Sequence, residues 1–333
     1  MFSLFTELML KQLFKYNLRR VINAIRTGFI WRYFLLNVPP MSWFTNIIFW
    51  IRDKEYYWLN ISNREGRVLF LEIDSELTKV QQKIVQDLKS DGISIVNFED
   101  LFKKSDFVKL KKLANKYLQQ PEIKKEIKTG ILKRKKSSKS FQIRPFGDNF
   151  IFDINNKLIS LSINQSLLRI VSNYLGVAPR ISNIDLWYNR ISKDNRTYSQ
   201  NWHRDPEDKR FVKVFLYFTD VDDNSGPFNY VKGTNVGGKL FNSFRARPFR
   251  GEYFNESVVN KFNKNVIIGT GKKGTIIFCD TRGLHRGGFC KNKARYLLNI
   301  VYTSNAAKFK PNFKLLKSSI SGITNLEKYA LGK

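Results

Sequence analysis

The spacing of hydrophobic positions changes along the chain, and each spacing predicts a different element. Leu10, Phe14, Leu18, Val21, Ile25 and Phe29 recur at three- and four-residue intervals, which is one face of an α-helix. Lys11, Lys15, Arg19 and Arg26 fall within a quarter-turn of one another around the helix axis, on one face, so a basic amphipathic helix is predicted there. Residues 29–51 are strongly apolar and aromatic, but Arg32 and the pair Pro39-Pro40 interrupt them. Neither half reaches the roughly 20 uninterrupted apolar residues of a spanning helix, and Glu7 together with the lack of a small-residue cleavage site argues against a secretory signal. Helical spacing returns at Leu77, Val80, Ile84, Val85 and Leu88, is stopped by Asp91-Gly92, and gives way to an alternating strand over 93–98. Further helices are predicted over 106–118 and 158–175, the second ended by Gly176-Val177-Ala178-Pro179.

Strand-length segments then dominate: 184–188, 211–217, 226–231, 266–269, 275–278 and 295–302. Short strands separated by Gly, Asn and Pro turns predict a mainly β domain with flanking helices (α+β), a double-stranded β-helix or jelly roll of the cupin kind. The predicted organisation is a basic, aromatic-rich helical segment over 1–62, then one domain over 63–333 with its jelly-roll core at about 181–305. No internal repeat is visible.

Composition narrows the class. A chain of 333 residues with 42% hydrophobic content can bury a sizeable core, which excludes a disordered protein. Two cysteines, Cys279 and Cys290, are too few for a disulfide framework, so a reducing, cytoplasmic setting is expected. The net charge of +30 is far from neutrality. An AT-rich genome that favours Lys and Asn codons, an anionic partner or substrate, and a membrane surface each account for such an excess. Trp31, Trp43, Trp50 and Trp58 interleave with basic residues near the N-terminus, a pattern that fits either a helical appendage packed on the domain or a peripheral anchor at a membrane surface. The basic run 133–139 reads as a solvated loop or as a lid over an anionic substrate.

The candidate chemistry lies in the only two histidines. His203 opens His203-Arg204-Asp205, and His285 lies in Gly283-Leu284-His285-Arg286-Gly287-Gly288. Residues i and i+2 of a strand share a face, so His203 and Asp205 can address one ion while a distant strand brings His285 to it. Two imidazoles and one carboxylate form the facial triad of non-haem Fe(II) oxygenases. A zinc hydrolase could use the same three groups.

The order of these features supplies a family. His203-Arg204-Asp205, a strand, Gly226-Pro227-Phe228, Gly233-Thr234, a second strand, His285 and then Arg295 resembles the phytanoyl-CoA dioxygenase family of Fe(II)/2-oxoglutarate oxygenases. The resemblance is specific across 181–305 and weaker across 77–175. It implies Fe(II) held by His203, Asp205 and His285, 2-oxoglutarate as co-substrate, dioxygen as oxidant, and Arg295 as the cation that holds the far carboxylate of the co-substrate. A guanidinium suits that task because its fork grips a carboxylate with two parallel hydrogen bonds. Tyr188 and Gln200 resemble pocket positions of the family.

Strand alternation puts Asn299 on the same face as Arg295, which makes it a candidate contact for the co-substrate or for the residues behind a ligand. One position departs from the family. Where a Ser or Thr commonly stands two residues after the distal histidine, this chain has Gly287. Halogenating relatives replace the carboxylate ligand with a small residue, so Asp205 favours hydroxylation of an unactivated C–H bond. Arg245 and Arg247 in the insert before Val266, with Arg282 and Arg286 beside His285, are candidates for contacting a small or lipid-like anionic metabolite. A nucleic-acid binder that uses the basic surface, and a non-catalytic binding module on the same fold, are the alternatives. No known nucleic-acid motif appears, and the aromatic residues do not alternate with the basic runs.

Overall fold

A computed structural model describes residues 41–73, 76–129, 141–146, 150–192, 196–244, 251–309, 311–316 and 322–333. The predicted basic helix over 10–29, the basic run 133–139, and Arg245, Arg247 and Arg250 lie outside these residues. Contacts divide the chain into two units, Met1–Tyr57 and Trp58–Lys333.

In the first unit, the helix Met41–Arg52 exposes Trp43, Phe44, Ile47, Ile48 and Trp50, each by more than half of its surface. No helix among the described residues is long and apolar enough to cross a membrane.

The second unit begins slightly ahead of the boundary drawn from the sequence. Trp58 is fully buried, and its indole Nε1 donates to Asp208 Oδ1 at 2.9 Å. Asn63 ties the same turn to the far end of the domain: its amide donates to Trp58 O, and its oxygen accepts from Ala306 N. Trp58 and Asn63 are therefore buried in the second unit. The helix Lys79–Ser90 starts where the periodicity places it because Thr78 and Gln81 form a reciprocal capping box. The predicted helix over 158–175 is instead two helices, Lys157–Ser162 and Gln165–Leu175. Asn164 breaks it, because its side chain accepts from Ser166 N at 2.8 Å and caps the second helix. Pro121–Thr129 is a helix that the sequence reading did not anticipate.

The strands among the described residues are thirteen, in chain order β1 Ile93–Asn97, β2 Gln142–Ile143, β3 Phe150–Phe152, β4 Arg180–Asn189, β5 His203–Arg204, β6 Val212–Tyr217, β7 Phe228–Val231, β8 Glu252–Tyr253, β9 Val266–Gly269, β10 Thr275–Cys279, β11 His285–Arg286, β12 Arg295–Thr303 and β13 Phe313–Leu315. Six form a major sheet in the order β1-β10-β6-β12-β4-β2, and five form a minor sheet in the order β8-β5-β11-β7-β9. Pairing within both is antiparallel. From β5 to β7 and from β10 to β12 the chain alternates between the two sheets. That alternation is the wrapping of a jelly roll.

The side-chain period of two gives the major sheet two different faces. Val212, Val214 and Leu216 of β6, with Tyr296, Leu298 and Ile300 of β12, pack against the helices. Their neighbours Phe215, Tyr217 and Leu297 meet Phe228 and Tyr230 of the minor sheet. Both faces are covered, which explains why β6 and β12 are apolar along nearly their whole length. On the far side of the minor sheet, Phe244 and Val259 of the insert cover Trp202, Val231 and Leu284.

Candidate metal centre

His203 and His285 are direct cross-strand partners on β5 and β11, and their ring centroids are 4.2 Å apart. Asp205 follows β5 and is fixed by its backbone: its N–H donates to Thr281 O at 3.0 Å, and Arg282 Nη1 donates to its carbonyl at 3.2 Å. The carboxylate turns back toward both rings, with Oδ1 3.5 Å from His203 Nε2 and Oδ2 3.3 Å from His285 Nε2. One ligand atom from each of the three residues lies within 4.8 Å of the others. Phe228 and Tyr253 flank His285 and His203 respectively, each with its ring 5.6 Å away.

Both imidazoles are oriented by their other nitrogen. His203 Nδ1 is 2.8 Å from Asn201 O, and His285 Nδ1 is 3.0 Å from Gly283 O. A carbonyl accepts only, so each Nδ1 carries the hydrogen and each Nε2 presents a lone pair toward Asp205. Burial, with the neighbouring His203, pushes the His285 pKa down to about 4, so this ring is neutral near pH 7. Burial alone would push the Asp205 carboxyl up, but the charge around it, the Lys213 ammonium foremost, holds the group well below the usual carboxylate range. A neutral His285 and an ionised Asp205 are the protonation states a divalent ion requires of these two ligands. The donor set fits such a metal.

These groups open onto one cavity, lined also by Trp187, Ser199, Lys213, Phe215, Tyr217, Phe228, Gly287, Arg295 and Leu297. Arg295 stands opposite Asn189 across β12 and β4. With its amide oxygen facing the guanidinium, Asn189 accepts from Arg295 Nε at 3.2 Å and from Nη2 at 2.9 Å. Nη1 is buried and has no partner among the described residues. A cavity-lining guanidinium with an unused donor is suited to an anionic oxygen.

The remaining sequence candidates are placed less uniformly. Tyr188 packs on the helical side of the major sheet, 6.4 Å from Tyr296, and it is the adjacent Trp187 that lines the cavity. The parity of β4 decides this, because Asp185, Trp187 and Asn189 share the inner face. Gln200 is buried, and its side-chain oxygen accepts from Thr197 N at 3.0 Å as the closing residue of a capping box. The cavity position in that turn belongs to Ser199. Asn299 is on the face of Arg295 and fully buried, yet it does not line the cavity, and neither of its amide atoms has a partner among the described residues.

Arg282 and Arg286 do not line the cavity either. Arg282 is 2% exposed and braces the Asp205 backbone from behind. Strand parity turns Arg286 away from His285, where its guanidinium bonds Asn229 and both oxygens of Glu256 and lies over Trp202. Gly287 N donates to Ser199 O at 2.7 Å, and a Cβ at 287 would lie 3.2 Å from that oxygen. Close packing against the turn that carries Ser199 accounts for glycine at this position.

The sequence reading missed Lys213. Its Nζ lies 2.7 Å from Asp205 Oδ2 and 3.2 Å from Glu207 Oε1, inside the cavity. The signal was present, since Lys213 is the one charged residue in the apolar run 211–217 and has the parity of Phe215 and Tyr217. Burial opposes its charge, but Asp205 and Glu207 outweigh burial and raise its pKa.

No family model and no curated protein sequence matches the chain. Solved structures similar to it include the epimerase SnoN in complex with Fe3+, alpha ketoglutarate and nogalamycin RO, with a TM-score of 0.48 and 11% identity over 70% of this chain and 87% of that one. The non-heme alpha ketoglutarate dependent carbocyclase SnoK from nogalamycin biosynthesis is similar with a TM-score of 0.47 and 16% identity, over 71% of this chain and 88% of that one. EctD from S. alaskensis with 2-oxoglutarate and 5-hydroxyectoine gives a TM-score of 0.47 and 19% identity over 70% and 80%.

Proposed function

We propose that the unit from Trp58 onward is an Fe(II)- and 2-oxoglutarate-dependent dioxygenase that hydroxylates an unactivated C–H bond of a small or lipid-like anionic metabolite. One observation carries this reading: the three donors of His203, Asp205 and His285 share a cavity with Arg295, whose Nη1 is buried and unpaired. A zinc hydrolase needs the donors but has no use for that arginine.

Iron with 2-oxoglutarate supplies, when bound, the oxidising power that no side chain has. The residues of this chain do the rest. His203 and His285 present Nε2 because Asn201 O and Gly283 O hold their Nδ1 hydrogens. Asp205 brings the charge that retains a divalent ion. Asn189 orients the Arg295 fork for the far carboxylate of the co-substrate. Trp187, Phe215, Phe228 and Leu297 exclude water from the cavity, which protects a reactive centre from side reactions.

The test is succinate release from 2-oxoglutarate, dependent on Fe(II) and stimulated by pooled anionic metabolites. Absence of iron-dependent succinate in the presence of substrate pools argues against the reading. In Arg295→Lys the charge stays and the fork is lost. Affinity for 2-oxoglutarate should then fall by about tenfold or more, as for loss of one charged hydrogen bond, while Fe(II) binding stays nearly unchanged; calorimetry of both ligands checks this. Unaltered co-substrate affinity shows that another cation holds the far carboxylate.

The anionic character of the substrate rests on the +30 net charge and on Arg245 and Arg247, since Arg282 and Arg286 are engaged elsewhere. The exposed aromatic and aliphatic face of Met41–Arg52, together with the basic residues of the preceding sequence, favours peripheral attachment to an anionic membrane surface. Apolar side chains entering the interface and basic residues near headgroups, at about 1 kcal/mol each, would add. The full-length protein should co-sediment with anionic vesicles, release as salt rises, and lose most binding when residues before Trp58 are deleted. Equal recovery with neutral vesicles or without vesicles contradicts attachment.

A further inference from the structure

Lys213 is not explained by the need for a metal and a co-substrate. A third cation, Lys213, lines a cavity already meant to hold a divalent ion and Arg295, and like charges repel strongly at such range. Its contacts indicate what it does instead. The ammonium takes one oxygen from each of two carboxylates, Asp205 Oδ2 at 2.7 Å and Glu207 Oε1 at 3.2 Å. Asp205 Oδ1 remains on the side of His203 Nε2. Glu207 has a second oxygen, Oε2, that is buried and has no partner among the described residues. Glu207 does not line the cavity and is not among the three ligand side chains; it anchors the Lys213 ammonium that holds Asp205 Oδ2.

We propose that Lys213, anchored by Glu207, is a positioning residue that keeps Asp205 a one-oxygen ligand. This rests on the metal-centre reading above and adds to it a control of coordination number. Three single donors would leave an octahedral ion room for a bidentate 2-oxo acid and dioxygen. A chelating Asp205 would take one of those places. Lys213 is anchored in β6, between β10 and β12 of the major sheet, whereas Asp205 and Glu207 lie on the loop after β5. The ammonium thus ties that loop to a rigid element, which is what precise ligand placement needs.

The experiment uses Mn(II) as a spectroscopically visible probe, with affinity from the free-ion resonance and exchangeable waters from water-proton relaxation. It compares the full-length protein with Lys213→Met and with Lys213→Met/Glu207→Gln. In Lys213→Met the freed Asp205 carboxylate should chelate the ion, so Mn(II) affinity rises, relaxation reports fewer exchangeable waters, and 2-oxoglutarate affinity falls. Changes of about tenfold are the lower end for groups behind a metal ligand. Adding Glu207→Gln should change nothing further, because Glu207 acts only through the ammonium, and Lys213→Arg should stay near wild type. A purely structural lysine would shift thermal stability without changing the water count, so unchanged relaxation and co-substrate affinity in a folded Lys213→Met protein overturn the proposal. If that variant does not fold, Lys213→Gln, which can still donate to Asp205 but cannot hold both carboxylates as an ammonium does, is read by the same criteria. Failure of the wild type to bind Mn(II) would instead count against the metal centre itself.

Discussion

His285→Ala should abolish iron-dependent succinate release while the protein stays folded. His285 supplies one of three donors, and the other two cannot compensate, because His203 and Asp205 occupy fixed places around a point that His285 completes. The fold loses little, since His285 makes its ring hydrogen bond to Gly283 O within its own turn and the β11 backbone pairs are unaffected. Fe(II) affinity should fall by at least ~100-fold, the upper end of what even residues behind the ligands command. Circular dichroism and a melting curve check the fold, and a coupled succinate assay checks turnover. An alanine variant that keeps more than a few per cent of wild-type turnover places the reactive centre elsewhere.

Gly288→Ala should have the largest effect on stability. The loop after β11 crosses the loop before β7 with backbone against backbone, and a Cβ at 288 would lie 1.9 Å from both C and O of Gly226. Gly226 itself has φ +66, which an L side chain rarely adopts. Neither segment can yield cheaply, because Ser225 and Cys290 are bridged beside the crossing and Cys290 is buried. A loss of roughly 3 kcal/mol or more is expected, in the class of severe overpacking, measured by denaturant unfolding. A change under about 1 kcal/mol, the ordinary size for a tolerated substitution, would show that the two loops can separate. The crossing also explains why Gly226-Pro227-Phe228 and His285-Arg286-Gly287-Gly288 occur together: each needs the other's missing side chain.

The grouping of His203, Asp205 and His285 was legible in the sequence because it depends on residue identity and strand parity. Histidine occurs twice, and the i, i+2 relation of His203 and Asp205 needs no tertiary knowledge. The jelly roll was legible because β6, β9, β10 and β12 read as short apolar runs set between turn residues. The two-residue strands β5 and β11, which carry both histidines, are too short to display one and exist only through cross-strand pairing. Register was also out of reach, so the Asn189 and Arg295 partnership, set by β12 and β4, had no sequence signature.

Two misplacements were avoidable. Counting back from Asn189 along β4 gives Trp187 the inner face and sends Tyr188 outward. Thr197-Tyr198-Ser199-Gln200 is a capping-box pattern, which assigns the Gln200 side chain to its own turn. Arg282 and Arg286 misled by proximity to His285. Buried surroundings and Glu256, thirty residues upstream of Arg286, decide their contacts, and neither can be read locally.

The claim on which everything else depends is that His203, Asp205 and His285 hold Fe(II) open to a 2-oxo acid. Anaerobic titration of the purified protein with Fe(II) and 2-oxoglutarate tests it most directly, because a bidentate 2-oxo acid on ferrous iron gives a weak visible charge-transfer band. The account predicts a band that saturates at one iron per chain and is absent from His203→Ala and His285→Ala. No band and no retained iron in the wild type, or an equal band in the alanine variants, would contradict it.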